Sequence, residues 1–164
     1  MTDSGHRTSA ENSRVSEDGA GPEGVRAGPA WLAATGLAAL LLLAATVLPV
    51  LEVSVRGEAV GALSRSGWEL HGPLLPILGA AAAAGAVLAA RGRLAGAFAI
   101  AATGLVTLAV IIAGEAPDIG ATGLVPGSLA QGTASAGPGF YIAILAGVLL
   151  LLTGGLLALR SYEG

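Results

Sequence analysis

Residues 72–114 read GPLLPILGAAAAAGAVLAARGRLAGAFAIAATGLVTLAVIIAG. Two uncharged apolar runs, 72–90 and 94–114, are separated only by Arg91-Gly92-Arg93. A helix needs about 20 residues to cross a hydrocarbon core about 30 Å thick, and both runs are near that length. A link of three residues turns the second run back beside the first, so the pair reads as an antiparallel helical hairpin. In hydrocarbon every backbone N–H and C=O must be paired inside the protein, which a helix does within its own segment. Barrel strands would show alternating segments of about ten residues, and these runs do not alternate.

Outward from this hairpin lie two more such runs. Residues 27–51 carry no charge and become continuously apolar near Trp31; residues 140–159 are apolar and closed by Arg160. The expected fold class is therefore an all-α integral membrane protein, a bundle of four transmembrane helices. The expected spans are about 30–51, 73–90, 94–114 and 139–159, within a membrane domain 29–160. Pro49 stands near the far end of the first span, where it ends or bends the helix at modest cost. Pro73 and Pro76 fall in the first turn of the second, where a missing N–H matters little. A cleaved signal peptide is the rival reading of the first run. It is disfavoured because the run exceeds an ordinary signal core and follows a long polar lead.

Composition agrees. Of 164 residues 54% are apolar and 12% charged, about half the charged share of a soluble domain. There is no cysteine, so disulfides and thiolate metal sites are excluded. His6 and His71 are the only histidines. A net charge of -3 leaves no basic footprint for nucleic acid. All eight basic residues are arginine, and the wealth of Ala, Gly, Leu and Val suggests a GC-rich bacterial genome. Residues 1–28 hold five acids (Asp3, Glu11, Glu17, Asp18, Glu23) and three arginines but almost no large aliphatic side chain. They are expected to form a disordered cytoplasmic tail, with a second short cytoplasmic tail at 161–164.

Arginine placement sets the expected orientation. With both termini cytoplasmic, Arg7, Arg14, Arg26, Arg91, Arg93 and Arg160 lie inside, and only Arg56 and Arg65 outside. Trp31 and Tyr162 then mark the inner interface, and Trp68, Phe140 and Tyr141 the outer one. The expected location is the cell (inner or plasma) membrane.

The first outer loop, about 52–72, opens on a stretch rich in β-branched residues, turns at Arg56-Gly57-Glu58 and can return through 59–63. It can form a short β-hairpin on the helix ends, marginal by itself. The second outer loop, 115–139, is dominated by Gly, Pro, Ser, Thr and Ala. It reads as flexible, with a turn of helix near 128–131. Small residues recur at spacing four: Ala81, Gly85, Ala89; Ala95, Ala99, Thr103; Ala143, Gly147; Ala34, Ala38. Such stripes let helices approach closely, either inside one bundle or between copies.

No span contains an ionisable residue; Thr35, Thr46, Thr103, Thr107 and Thr153 supply the only side-chain polarity, and their hydroxyls can bond back to their own helices. That argues against an ion-coupled transporter. No nucleophile–base pair, metal-ligand set or phosphate loop can be assembled, and Gly137-Pro138-Gly139 lacks a strand–loop–helix setting. Catalytic, cofactor and metal sites are thus expected to be absent, and no enzyme is expected. The candidate functional residues are Glu52, Trp68, His71 and Glu115, all at the outer rim. If the helix ends converge, the three ionisable ones form a polar cluster responsive to pH. The plainer reading is three separately solvated residues, with Trp68 an interfacial anchor.

The stretch 30–160 resembles the small four-helix membrane proteins of high-GC bacteria, among them the tryptophan-associated transmembrane proteins. The resemblance rests on the Pro-containing end of span one, SGWEL at 66–70, the proline-led second helix, the tight arginine turn and GPGFYIAILAGVLLLLTGG at 137–155. Leu51-Glu52 stands where members often carry Trp. The family implies no reaction. A claudin-like topology is a looser likeness, carried by Trp68 but lacking paired loop cysteines. The expected function is that of a non-enzymatic multi-pass protein of the bacterial envelope acting through helix–helix or outer-loop contacts. Its expected partners are the lipid bilayer, a second copy or another membrane protein; the alternative is a subunit of an oligomeric pore or transporter.

Overall fold

The computed structural model describes residues 28–56, 58–59, 63–125 and 130–163. The expected N-terminal tail lies outside them, as do residues 126–129, which hold the first half of the helical turn expected near 128–131; at its other end Gln131 begins a strand instead. The described chain is mostly helical. Its helices are α1 (Pro29–Val47), a short α2 (Gly67–His71), α3 (Leu74–Ala90), α4 (Leu94–Glu115) and α5 (Pro138–Glu163). A 3-10 turn (Ala116–Asp118) extends α4. Among the described residues three stretches are long and apolar enough to cross a membrane: Pro29–Val47, Leu94–Asp118 and Pro138–Tyr162. At 17 residues α3 is apolar but shorter than these.

The four longer helices form a ring in which each packs on two others: α1 on α3 and α5, α4 on α3 and α5. Their outer surface stays apolar, with Leu40, Val47, Ile77, Leu105, Leu152 and Leu159 all exposed. No soluble monomer tolerates so extensive an apolar surface, whereas lipid does. The inner surface is built from small side chains. The buried stripe of α3 runs through Gly79, Ala82, Gly85 and Ala89, and that of α4 through Gly96, Ala97, Gly104 and Thr107. The expected stripes were partly out of phase: Ala81 and Ala95 face outward, one position from the buried Ala82 and Gly96.

Helices α4 and α5 meet backbone to backbone. A Cβ on Gly104 would lie 2.6 Å from the carbonyl oxygen of Gly147, and one on Gly154 would lie 2.7 Å from that of Ala97. The backbones meet where the side chains vanish, which is how helices associate when apolar burial offers no drive. These glycines are used inside the bundle. All five threonine hydroxyls donate to the carbonyl four residues earlier, at 2.5–3.0 Å, as expected.

Helix α1 stops at Val47, earlier than expected, and Pro49 begins a strand instead of ending a span. The loop after α1 and the loop after α4 together make one antiparallel sheet at that end of the bundle: β1 (Pro49–Val55), β2 (Glu58–Ala59), β3 (Arg65–Ser66), β4 (Thr122–Leu124) and β5 (Gln131–Ala136). The order is β2-β1-β5-β4, with β3 also on β1. The expected hairpin is present in its first part: Val55 pairs with Glu58 across Arg56-Gly57. The return differs, because residues 60–62 are outside the described residues and it is β3 that rejoins β1, opposite Pro49 and Leu51. The second loop is not structureless. Its β5 pairs with five consecutive residues of β1, Leu51 to Val55, which gives the marginal hairpin the further strands it needs.

Gly104→Val should lower stability by about 3 kcal/mol through overpacking. Gly155→Ala should change it by less than about 0.5 kcal/mol, since nothing lies within 4 Å of that position. Equilibrium unfolding in mixed micelles measures both, and equal losses would refute the close-packing account.

Candidate functional site

The rim at the sheet end of the bundle is organised by the short helix α2. Ser66 caps it: its hydroxyl accepts from the Glu69 N–H, and the Glu69 carboxylate accepts from the Ser66 N–H at 2.9 Å. This reciprocal capping box fixes five residues that would not hold as an isolated helix. Gly67, inside the box, packs directly on the end of α1, with its N–H donating to Leu48 O at 3.3 Å. Gly72 then takes a left-handed φ of 55° and redirects the chain into α3. His71 is thereby held at the corner between α2 and α3.

Opposite that corner is the end of α4. Glu115 is 1% exposed and its carboxylate is hydrogen-bonded to His71 Nε2, whose side chain is 10% exposed. A methyl group on Gly114 would lie 3.6 Å from His71 Cε1, so the imidazole is seated against this last turn. One turn earlier on α4 is the fully buried Ile111, and one turn later on α3 the fully buried Leu75. The pair therefore closes the top of the apolar core. Glu115 Oε2 is buried with no hydrogen-bond partner among the described residues. Half of this carboxyl is satisfied and half is not, an arrangement that stores a desolvation penalty.

Of the four candidate residues, the structure brings two together. The expectation of three separately solvated ionisable residues is corrected for His71 and Glu115, because α2 and the α3–α4 hairpin place them face to face. Glu52 does not join them. It lies in β1 opposite Ser135, whose hydroxyl donates to the Glu52 carbonyl at 3.3 Å, and its Cγ flanks Gly137. Trp68 is 55% exposed on the free side of α2 and stacks on no other ring among the described residues. Gly137 and Gly139 are explained by crowding: Gly137 presses on the backbone of Pro49 and Gly139 on that of Leu48 and Pro49, where a side chain would collide. Gly137 also donates its N–H to Val50 O at 2.7 Å.

Chemically, the pair joins an imidazole and a carboxyl through a hydrogen bond, with no nucleophile beside it among the described residues. No group of three or more metal-binding side chains occurs among the described residues. At the opposite end of the bundle the Arg160 guanidinium lies 5.2 Å from the Trp31 ring centre, joining the two ends of the described chain by a cation–π contact. Sequence reasoning overlooked the strands of the second loop. Their signal was present, since Gln131, Thr133 and Ser135 alternate with Gly132, Ala134 and Ala136, but no large apolar residue marks it. The S-x-x-E spacing of the capping box at 66–69 was equally readable. The chain matches no family model and no curated protein.

His71→Ala should cost about 3–5 kcal/mol, because it strands a buried carboxyl. His71→Leu combined with Glu115→Leu should cost far less than either single change. A double-mutant cycle of unfolding in detergent reads this coupling, and additive single effects would show that the pair is not coupled.

Proposed function

We propose that this chain is a non-enzymatic multi-pass protein of the bacterial cell membrane that holds a small recognition sheet on the outer face. The observation that carries this reading is the sheet itself. Two outer loops are far apart in sequence, yet five consecutive residues of β1 pair with β5, and Gly137, between β5 and α5, donates its N–H to Val50 O of β1. Such a rigid platform suits contacts with a partner, or with a second copy, better than it suits chemistry, for which no nucleophile stands near the His71–Glu115 pair among the described residues. In this reading α3 is the fourth crossing. Its 17 residues are at the short end of what spans a bilayer, and it packs between two helices that are themselves long enough.

The sheet faces the exterior in this reading, with both termini cytoplasmic. Arg91, Arg93 and Arg160 gather at the end away from the sheet, as expected of a cytoplasmic side. The likeness to small four-helix proteins of high-GC bacteria fits this architecture. The alternative, a subunit of an oligomeric pore, has less support. The threonines that would line a polar route turn their hydroxyls onto their own helices, and all are buried.

The natural absence of cysteine allows a direct test. In intact cells a membrane-impermeant maleimide should label Thr133→Cys but label Gly92→Cys only after permeabilisation; the reverse pattern would overturn the orientation. A photo-crosslinking residue at position 68 should capture a protein partner or a second copy, and one at position 92 should not. No capture from position 68 would defeat the recognition reading.

A further inference from the structure

The five strands do not close into a barrel. One edge is β4, and the other is formed by β2 and β3, which lie along the same side of β1. Between these edges is a cavity of about 740 Å³, lined by Val53, Gly132, Ala134 and residues 121–125 on one side and by 63–65 and Glu69 on the other. That volume is within the range of about 300–1,000 Å³ typical of ligand sites.

Strand pairing assigns the two faces of the sheet. Val53, Ala134 and Ala121 stand opposite one another, as do Val55, Gly132 and Gly123, so the cavity floor is small and apolar. Glu52, Ser54, Thr133 and Ser135 occupy the other face. The floor has no large side chain to fill the space above it. A Cβ on Gly132 would lie 2.8 Å from Val53 Cγ1, so the floor is level only because that residue is glycine.

The seam also exposes unused backbone. Ala134 N–H donates to Ala121 O, and Val125 N–H donates to Ala130 O. By the two-residue alternation of an antiparallel ladder, residues 121, 123 and 125 face β5 while Thr122 and Leu124 direct their N–H and C=O groups away. Among the described residues β4 pairs with no other strand, and Thr122 and Leu124 are exposed. A free edge of this kind is a template for strand addition. Charge supplies the second feature. Arg65 lines the far wall, is exposed, and has no ion-pair partner among the described residues. Glu69, the one acid among the described lining residues, is committed to the cap of α2.

We propose that the seam binds an extended peptide segment bearing a carboxylate. The segment adds as a strand to the β4 edge, its backbone pairs with Thr122 and Leu124, and its acid pairs with Arg65. This deepens, and rests on, the reading of the sheet as a recognition surface. The bound segment would bridge the two edges and complete the half-barrel, which removes both exposed edges at once.

The test uses the full chain in detergent and fluorescent peptides of alternating threonine and valine, each carrying one glutamate. Binding should depend on where the glutamate stands. Replacing that glutamate by glutamine, or making Arg65→Gln, should weaken it about tenfold, the loss of one charge-assisted hydrogen bond. N-methylating the peptide amides that face β4 should abolish it. So should Thr122→Pro with Leu124→Pro, and because the methylated ligand tests the same contact on unaltered protein, misfolding of that variant cannot hide the answer. Binding indifferent to N-methylation, or displaced by laurate as readily as by unlabelled peptide, would overturn the strand-addition site. If position 68 crosslinks a partner in cells but no peptide binds, this inference falls while the recognition reading stands.

Discussion

A backbone inside hydrocarbon has no water to satisfy its N–H and C=O groups, so each must be paired within the protein. The rest of this structure follows from that constraint and from where it ends. Between the two ends of the bundle only helix is found, and even the threonine hydroxyls return to their own helix carbonyls. Pairing between distant segments begins once α1 has stopped at Val47. There Pro49, which cannot donate to a helical ladder, opens β1, and the two long loops meet as a sheet.

The same environment explains why the helices are knit by absence of side chains. Lipid is as apolar as leucine, so apolar contact gives no preference for protein over lipid, and close van der Waals approach must do so. At Gly104 and Gly154 the backbones of α4 and α5 meet with no side chain between them. Glycine performs a related task in the cap, where Gly67 lets α2 press against the end of α1 and Gly137 lets the chain entering α5 press against the start of β1. The bundle and the sheet thus share one packing device, and the sheet is held at the rim as a rigid extension of the helices.

The His71–Glu115 pair sits where these two parts meet. Burial of a carboxyl beside the apolar top of the core is unfavourable, and the imidazole relieves it only in part, because one oxygen is unpartnered among the described residues. Such a pair specifies an arrangement more than it stabilises one: the end of α4 fits the α2–α3 corner in the register that brings imidazole to carboxyl. That leaves the outward features, Trp68 on α2 and the β4 edge beyond it, held in fixed relation to the bundle.

Much of this was legible in the residues themselves. Uncharged runs of the right length dictate helices whatever their neighbours, because the backbone requirement is local, and the three residues at Arg91-Gly92-Arg93 dictate that α3 and α4 run antiparallel. The candidate site was legible as residue types at helix ends, where ionisable side chains meet water. What needed the tertiary structure was every relation between distant segments. The β1–β5 ladder was hidden because its polar and small residues alternate without the large apolar side chains that mark a strand. The small-residue stripes were in phase at Gly85, Ala89, Thr103 and Gly147 but one position off at Ala81 and Ala95, since in a chain this rich in alanine only packing chooses which face turns inward. The meeting of His71 with Glu115, and the separation of Glu52 from both, depends on how a five-residue helix caps and turns. That geometry is set by contacts with α1, not by the local sequence alone.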